Sequence, residues 1–210
     1  QLGLQSGGYR VSATRDELGA GFADVRVRVG ATAECTITLS TVPPGTDPKV
    51  AAMRAAVDVP VTVKLRIGVL HGCELRDARV AASSFDSRDR DALWGFVTSV
   101  VAAGAVALIV HARKAVLGSW SPKDNRDIPA LRYDVVRDLR ADFATIPLVV
   151  NGGIRAVEHM HESLAWTDGV MLGREAYHRP MILHAMDLAL GRAQPGAVTF
   201  NGVIERMTAY

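Results

Sequence analysis

The sequence predicts an α/β fold with a parallel sheet, and three observations support this prediction. Short apolar segments of the kind found in buried strands recur from residue 61 onward. Amphipathic helical segments alternate with them, which is the order of parallel βαβ units. The last three apolar segments each end in a polar or glycine motif, at the position where α/β proteins place their chemistry.

The elements follow one another in a regular order. Predicted strands cover residues 61–67, 105–110, 147–150 and 169–172, where β-branched and apolar residues dominate. Predicted helices cover residues 89–103, 133–143, 157–165 and 177–190, with Gly104 and Gly191 as stop signals. Residues 70–87 and 115–131 lack periodicity and are predicted as loops.

Chemical motifs at the ends of three successive strands favour a (βα)8 (TIM) barrel over an open doubly wound sheet, which gathers its chemistry at one switch point. Four strands form half of such a barrel, so we expect a partial barrel. Residues 1–50 are irregular: valines at 25, 27 and 29 alternate with charged residues, and residues 36–41 alternate again. That alternation resembles a β-hairpin.

Length and composition fit one globular domain. The 210 residues are 49% hydrophobic, and 24 basic residues against 22 acidic ones leave almost no bulk charge to indicate a nucleic-acid partner. Cys35 and Cys73 form neither a CxxC motif nor a metal-ligand spacing with histidine, so we expect a reduced, cytoplasmic chain without metal. We also expect a monomer. The longest apolar run, 100–110, is too short to span a bilayer, so no membrane partner is expected.

Glycine motifs follow the third and fourth predicted strands: Asn151-Gly152-Gly153 and Gly173-Arg174. In barrels, the loops after the last two strands commonly bind phosphate through backbone N–H groups, which glycine leaves open to close approach. Arg174 adds a permanently charged donor. Either motif alone is better explained by a turn, but both on consecutive strands favour a phosphate site.

Lys64 and His111 are further candidates. Alternation in the 61–67 strand places Thr62, Lys64 and Arg66 on one side, which in a barrel faces the lumen or the active site. A lysine there fits a flavin ring, whose reduced form a cation stabilises, although a solvated lysine at the rim fits as well. His111, at the end of the next strand, fits a cofactor contact or a simple backbone cap.

Basic residues cluster after His111. Arg113 and Lys114 follow directly, and Lys123 and Arg126 stand in the next loop together with Trp120. Cations beside an aromatic ring fit contact with an RNA backbone and an unstacked base. A solvated loop explains the same charges.

Four strings, VTVKLRIG, HARKAVLGSWSPKDNRDIPALRYDVV, VVNGGI and DGVMLGREAYHRP, resemble tRNA-dihydrouridine synthases of the A subfamily. The resemblance runs from about residue 51 to 182, except for 70–87. It implies a barrel that binds FMN and reduces the C5–C6 bond of D-loop uridines in tRNA with NADPH. It implies flavin contacts from Lys64 and His111, phosphate contacts from Asn151, Gly152, Gly153, Gly173 and Arg174, and tRNA contacts from Lys123 and Arg126.

The sequence also departs from that family. The family's proton donor is a cysteine in an Asn-Val-Gly-Cys-Pro loop, and this sequence contains no such string. The neighbours of Cys35 do not match that loop, so the catalytic residue stays unassigned. We therefore expect a truncated form, with an irregular or hairpin segment at 1–50, the C-terminal part of the barrel at 51–192, and the start of a helical tRNA-binding domain at 193–210.

Two alternatives stay open from the sequence. Another FMN barrel dehydrogenase, acting on free pyrimidines, would account for Lys64 and the glycine motifs but not for the basic loop. A non-catalytic RNA-binding fragment would account for the basic loop without a flavin.

Overall fold

The computed structural model describes residues 7–15, 19–27, 45–71, 80, 82–118 and 120–209. Two compact units divide the chain: Gln1–Thr62 with Trp94–Val106, and Val63–Leu93 with Ala107–Tyr210.

In the first unit, strands β1 (Gly7–Arg15) and β2 (Gly19–Val27) form an antiparallel hairpin in which Gly7 lies opposite Val27. This pairing lies upstream of the one suggested by the alternation at 36–41, and those residues fall outside the described part of the chain. Helix α1 (Pro48–Ala56) follows. Asp47 caps it by accepting bonds from the N–H groups of Lys49 and Val50, and Pro48 occupies the first helical position.

The second unit holds the strands that position the site. Their bounds are β3 (Thr62–Arg66, beginning one residue before the unit), β4 (Val69–His71), β5 (Ala107–His111), β6 (Ala115–Leu117), β7 (Leu148–Asn151) and β8 (Gly169–Met171). One sheet has the order β3-β5-β7-β8, in which β7 pairs in parallel with both β5 and β8. The register places His111, Asn151 and Met171 side by side at the carboxyl ends of three strands.

Helices alternate with these strands. Their bounds are α2 (Ser87–Ala102, which continues into the first unit), α3 (Asp124–Asp127), α4 (Tyr133–Asp142), α5 (Val157–Leu164), α6 (Arg174–His178), α7 (Met181–Ala189) and α8 (Phe200–Thr208). The predicted α/β fold with a parallel sheet, part of a (βα)8 barrel, is confirmed. Its core is apolar, as the complete burial of Leu108, Val110, Leu148 and Val150 shows.

The structure corrects two local predictions. The single helix predicted at 177–190 is two helices, α6 and α7, separated by Arg179 and Pro180. Proline disfavours helical geometry in the residue before it, and Arg179 accordingly has φ −136° and ψ 69°. Parts of the two predicted loops form a parallel strand pair, β4 with β6, because hydrogen bonding between distant segments overrides their weak local pattern.

The helices in the described part of the chain lack the combination of length and apolar character that a bilayer span requires. No cluster of three or more His, Cys, Asp or Glu side chains among the described residues has the arrangement of a metal site.

Candidate functional site

A cavity of about 410 Å³ lies at the carboxyl ends of β5, β7 and β8 in the second unit. The strand register explains its position, because His111 and Asn151 end neighbouring strands and Gly173 follows β8. The cavity brings together most of the predicted site residues, namely His111, Arg126, Asn151, Gly152, Gly153, Gly173 and Arg174.

The Asn-Gly-Gly turn requires glycine at both positions. Gly152 and Gly153 have φ of +104° and +77°, in the left-handed region that side chains disfavour. A Cβ on Gly152 would lie 2.7 Å from Cδ2 of His111, and one on Gly153 would collide with the Tyr133 hydroxyl. That hydroxyl donates a 2.6 Å hydrogen bond to the Gly152 carbonyl, and burial raises its pKa. The turn is therefore tightly packed on its inner side.

Two further features determine how a ligand can reach the end of β8 at the mouth of the cavity. A Cβ built on Gly173 would meet no atom within 4 Å, so open space lies beside its backbone. The Asn151 side-chain amide donates a 2.8 Å bond to the Met171 carbonyl and thereby ties the end of β7 to the end of β8. A ligand group can therefore approach the main chain closely at the end of β8.

Cations dominate the lining. Arg113, Arg126, Arg155 and Arg174 all line the cavity, and Glu175 is the acidic residue among the described lining residues. Arg174 also pairs with Asp127 of α3 at 2.9 Å. This excess of guanidinium groups suits a multiply charged anion, because such groups bind phosphate with fixed geometry and permanent charge.

Glu175 is shared by two arginines on its outer side. It lies 2.6 Å from a guanidinium nitrogen of Arg179 and 3.9 Å from Nε of Arg155. Arg179 also donates a 2.6 Å bond to the Arg155 carbonyl. The segment after the Asn-Gly-Gly turn is thereby tied to α6.

His111 is held in its neutral form. Burial lowers its pKa to about 4, and the positive charges of Arg66, Lys64, Arg113 and Arg174 add to that shift. At neutral pH the ring therefore carries one N–H donor and one acceptor nitrogen rather than a positive charge.

Lys64 and Lys123, which the sequence also predicted as site residues, lie outside the cavity lining. Lys64 is exposed on β3, as the solvated alternative expects, and its contact with a flavin stays a prediction. Its charge is nevertheless near enough to lower the pKa of His111. Lys123 is exposed directly before α3.

The structure removes two residues from the predicted RNA-contacting cluster. Lys114 is 2% exposed and forms a 2.6 Å ion pair with Asp89, so it is unavailable to a ligand. Trp120 is buried against Ala82 and Val116 and cannot stack on a base. Both side chains pack in the interior, where the aromatic ring and the long methylene stem fill space.

Six lining residues were not predicted as contact residues: Arg113, Ile154, Arg155, Met171, Glu175 and His178. Their positions carry a signal that could have found them. Arg113 stands two residues beyond His111 at a strand end, and Arg155 stands two residues beyond the Asn-Gly-Gly motif. Glu175 and His178 share the short helix that begins at Arg174. The edge of a parallel sheet gathers such positions.

Comparison with known proteins adds an independent result. The family model described as Dihydrouridine synthase (Dus) matches residues 47–210. A tRNA-dihydrouridine(20/20a) synthase of Pseudomonas syringae pv. tomato is 44% identical over 162 residues, which cover 77% of this chain and 44% of the relative. The enzymes with the same name in Xanthomonas axonopodis pv. citri and Pasteurella multocida are 47% and 41% identical, over 68% and 77% of this chain and 38% and 45% of those relatives. The chain thus spans less than half of the length of these curated relatives.

Proposed function

The chain belongs to the dihydrouridine synthase family, and from this membership we propose that it is part of an FMN-dependent tRNA-dihydrouridine synthase of the A subfamily. The reaction reduces the C5–C6 bond of a D-loop uridine, with NADPH as the reductant. The names of the relatives point to uridines 20 and 20a as targets.

The observation that carries this proposal is the arginine-rich, glycine-walled cavity at the strand ends. Its residues fit the phosphate of FMN: Gly152, Gly153 and Gly173 offer main chain without side chains, and Arg174 offers a charged donor. Asn151 would keep the two strand ends together, since its amide already bridges them. The four lining arginines outnumber the acidic groups beside them, Glu175 and the nearby Asp127, and this excess of positive charge suits a phosphate monoester dianion.

Lys64 and His111 would lie beside the flavin ring. When bound and reduced, FMN supplies the hydride for C6 of the uridine. The exposed ammonium of Lys64 would stabilise negative charge on the reduced ring. His111 is neutral because of its low pKa. It would therefore donate or accept a hydrogen bond without placing a second positive charge beside the ring. The family's proton-donating cysteine belongs to a string that this sequence lacks, so no side chain here is assigned that role.

Lys123 and Arg126 would contact the tRNA backbone. Both side chains are exposed on the segment around α3, and Arg126 also reaches the cavity lining. Cations at such a rim position the RNA through its phosphates, while the target uridine turns out of the RNA fold to reach the ring.

A comparison of FMN with riboflavin tests the cofactor site directly, because the two differ only in the phosphate. We expect the unchanged chain to bind FMN more tightly than riboflavin in an absorption or fluorescence titration. Arg174→Ala should weaken FMN binding about 10- to 100-fold and leave riboflavin binding almost unchanged. Arg137→Ala, which removes an exposed arginine stacked on Trp166, is the matched control and should change neither.

Equal affinity for FMN and riboflavin in the unchanged chain would contradict the assignment of the phosphate site. Binding of tRNA without any flavin would favour the non-catalytic RNA-binding alternative instead. Reduction of uridine in tRNA, but not of free pyrimidines, would separate the synthase from the free-pyrimidine dehydrogenase alternative.

A further inference from the structure

The segment 121–128, which contains Lys123, α3 and Arg126, is fastened to the sheet by side chains that have no place in the proposed cofactor site. We infer that Asn125 and Arg66 are positioning residues, which hold this segment so that Lys123 and Arg126 present their charges in a fixed arrangement to RNA. The inference rests on the proposed function and names how its RNA contacts are built. We call residues 121–128 the anchored segment.

Asn125 is the first anchor. Its side-chain oxygen accepts a 2.6 Å bond from the Val116 N–H, and its side-chain nitrogen donates a 2.8 Å bond to the Val116 carbonyl. The amide therefore pairs with β6 as a neighbouring strand would. Among side chains of this size, only asparagine both donates and accepts in this way without charge.

Arg66 is the second anchor. Nη1 of its half-buried guanidinium donates to the Asn125 carbonyl at 2.9 Å and to the Lys114 carbonyl at 2.8 Å. Hydrogen bonds from a charged donor are stronger than neutral ones. Arg66 stands two residues after Lys64 on β3. The strand that carries the proposed flavin-side lysine therefore also holds the anchored segment.

The anchored segment is closed locally as well. The Ser121 hydroxyl donates to the Asp124 carboxylate at 2.6 Å, and the Asp124 N–H returns a 3.1 Å bond to the Ser121 oxygen. This reciprocal pattern fixes the first turn before α3. Local closure, the Asn125 bonds to β6 and the Arg66 bond from β3 together restrict the backbone on either side of Lys123 and Arg126.

Among the described residues, the side chains of Lys123 and Arg126 have no hydrogen-bonding or ion-pairing partner, and both are exposed. Their positions are thus set by the backbone beneath them rather than by partners of their own. Ordering such side chains on binding costs free energy, and a fixed backbone reduces that cost. Loss of the anchors would keep both charges on the protein but remove their common arrangement.

The salt dependence of tRNA binding separates positioning from charge. Each phosphate contact contributes about 0.7 to 0.9 to the slope of log Kobs against log salt concentration. Asn125→Ala leaves the net charge unchanged, so a smaller slope would reflect lost phosphate contacts. We expect the slope to fall by up to about 1.4 to 1.8, the contribution of the two contacts from Lys123 and Arg126. Lys123→Ala/Arg126→Ala should lower the slope by a similar amount, and adding Asn125→Ala to that pair should lower it no further.

Two additional variants test the second anchor and control for loss of folding. Arg66→Lys keeps the charge but has a shorter reach to the two carbonyls, and we expect it to lower the slope in the same direction. If Asn125→Ala does not give a folded chain by circular dichroism, Asn125→Ser, which retains one hydrogen-bonding group, takes its place. The difference in affinity between FMN and riboflavin should fall less in every anchor variant than in Arg174→Ala, since Asn125 and Arg66 lie outside the cavity lining and Arg174 stays in place.

The outcomes distinguish this inference from the proposed function. If the unchanged chain binds no tRNA, the proposed function fails and the inference fails with it. If it binds tRNA with a slope that the Lys123/Arg126 pair lowers but Asn125→Ala does not, only the inference is overturned. An equal loss from Asn125→Ala with and without Lys123 and Arg126 would also overturn it, because the anchor would then act through other residues.

Discussion

Replacement of Gly153 by alanine should destabilise the chain through two separable effects. The first is the conformational cost of alanine at φ +77°, about 1–2 kcal/mol. The second is the collision of the new Cβ with the Tyr133 hydroxyl and with Cδ1 of Leu131, the latter at 2.7 Å. Tyr133 would have to give up its bond to the Gly152 carbonyl, which costs about 1 kcal/mol more. We therefore expect Gly153→Ala to lose about 2–3 kcal/mol of unfolding free energy.

Gly191 provides the matched control. It has φ +68°, and a Cβ built there meets nothing within 4 Å, so Gly191→Ala should show the conformational cost alone. Urea unfolding followed by tryptophan fluorescence measures both variants under the same conditions. If Gly153→Ala destabilises the chain no more than Gly191→Ala does, Tyr133 and Leu131 yield without cost, and the argument from close packing is wrong.

Two further predictions concern ionisable side chains that are wholly or partly buried. The pKa of His111 is about 4 in the folded chain, against 6.5 in the unfolded chain, so the unfolded chain binds the proton first as the pH falls. The unfolding free energy should therefore drop by about 1–2 kcal/mol between pH 6.5 and 4, a figure reduced for the partial exposure of the ring. His111→Gln should lack this component in pH-dependent urea unfolding, and an NMR titration placing the His111 pKa at 6 or above would refute it. Lys114→Met should cost about 2–4 kcal/mol by removing the cation that pairs with Asp89, and Asp89→Asn should restore part of that loss in the double variant. Unlike the Lys123/Arg126 pair, Lys114→Met should leave the salt slope of tRNA binding unchanged, and a lowered slope would show that Lys114 reaches RNA.

The strands and helices that local patterns specify were predictable from the sequence. The apolar runs before His111 and Asn151 became buried neighbouring strands, and the periodic valines and leucine of α4 face the core. Pairing of β4 with β6 was not predictable in this way, because its hydrogen bonds join segments more than forty residues apart. The break between α6 and α7 had a visible cause in the sequence, Pro180. The prediction was wrong because it gave more weight to the helical pattern around this proline than to the proline itself.

Some of the site residues were likewise predictable from the sequence, and others were not. Residues at strand ends were found because their place in the fold follows from the strand pattern, which brought His111 beside Asn151. Charge at a position does not reveal burial, however, so Lys114 and Trp120 were assigned to an exposed RNA-binding surface although both are buried. The partners that decide burial, such as Asp89 for Lys114, lie in other elements and leave no local trace. The assignment of the lining residues to FMN, and of Lys123 and Arg126 to tRNA, stays a prediction.

The interruption at Arg179 and Pro180 affects how this chain should be engineered. By helix propensity alone, Pro180→Ala is an attractive stabilising change, because it would join two short helices into one. The non-helical backbone of Arg179, however, accompanies a side chain that reaches both Glu175 and the Arg155 carbonyl. A continuous helix would turn that side chain elsewhere and let the loops after β7 and β8 move independently. In this region, a gain in thermal stability would be a misleading guide to retained function.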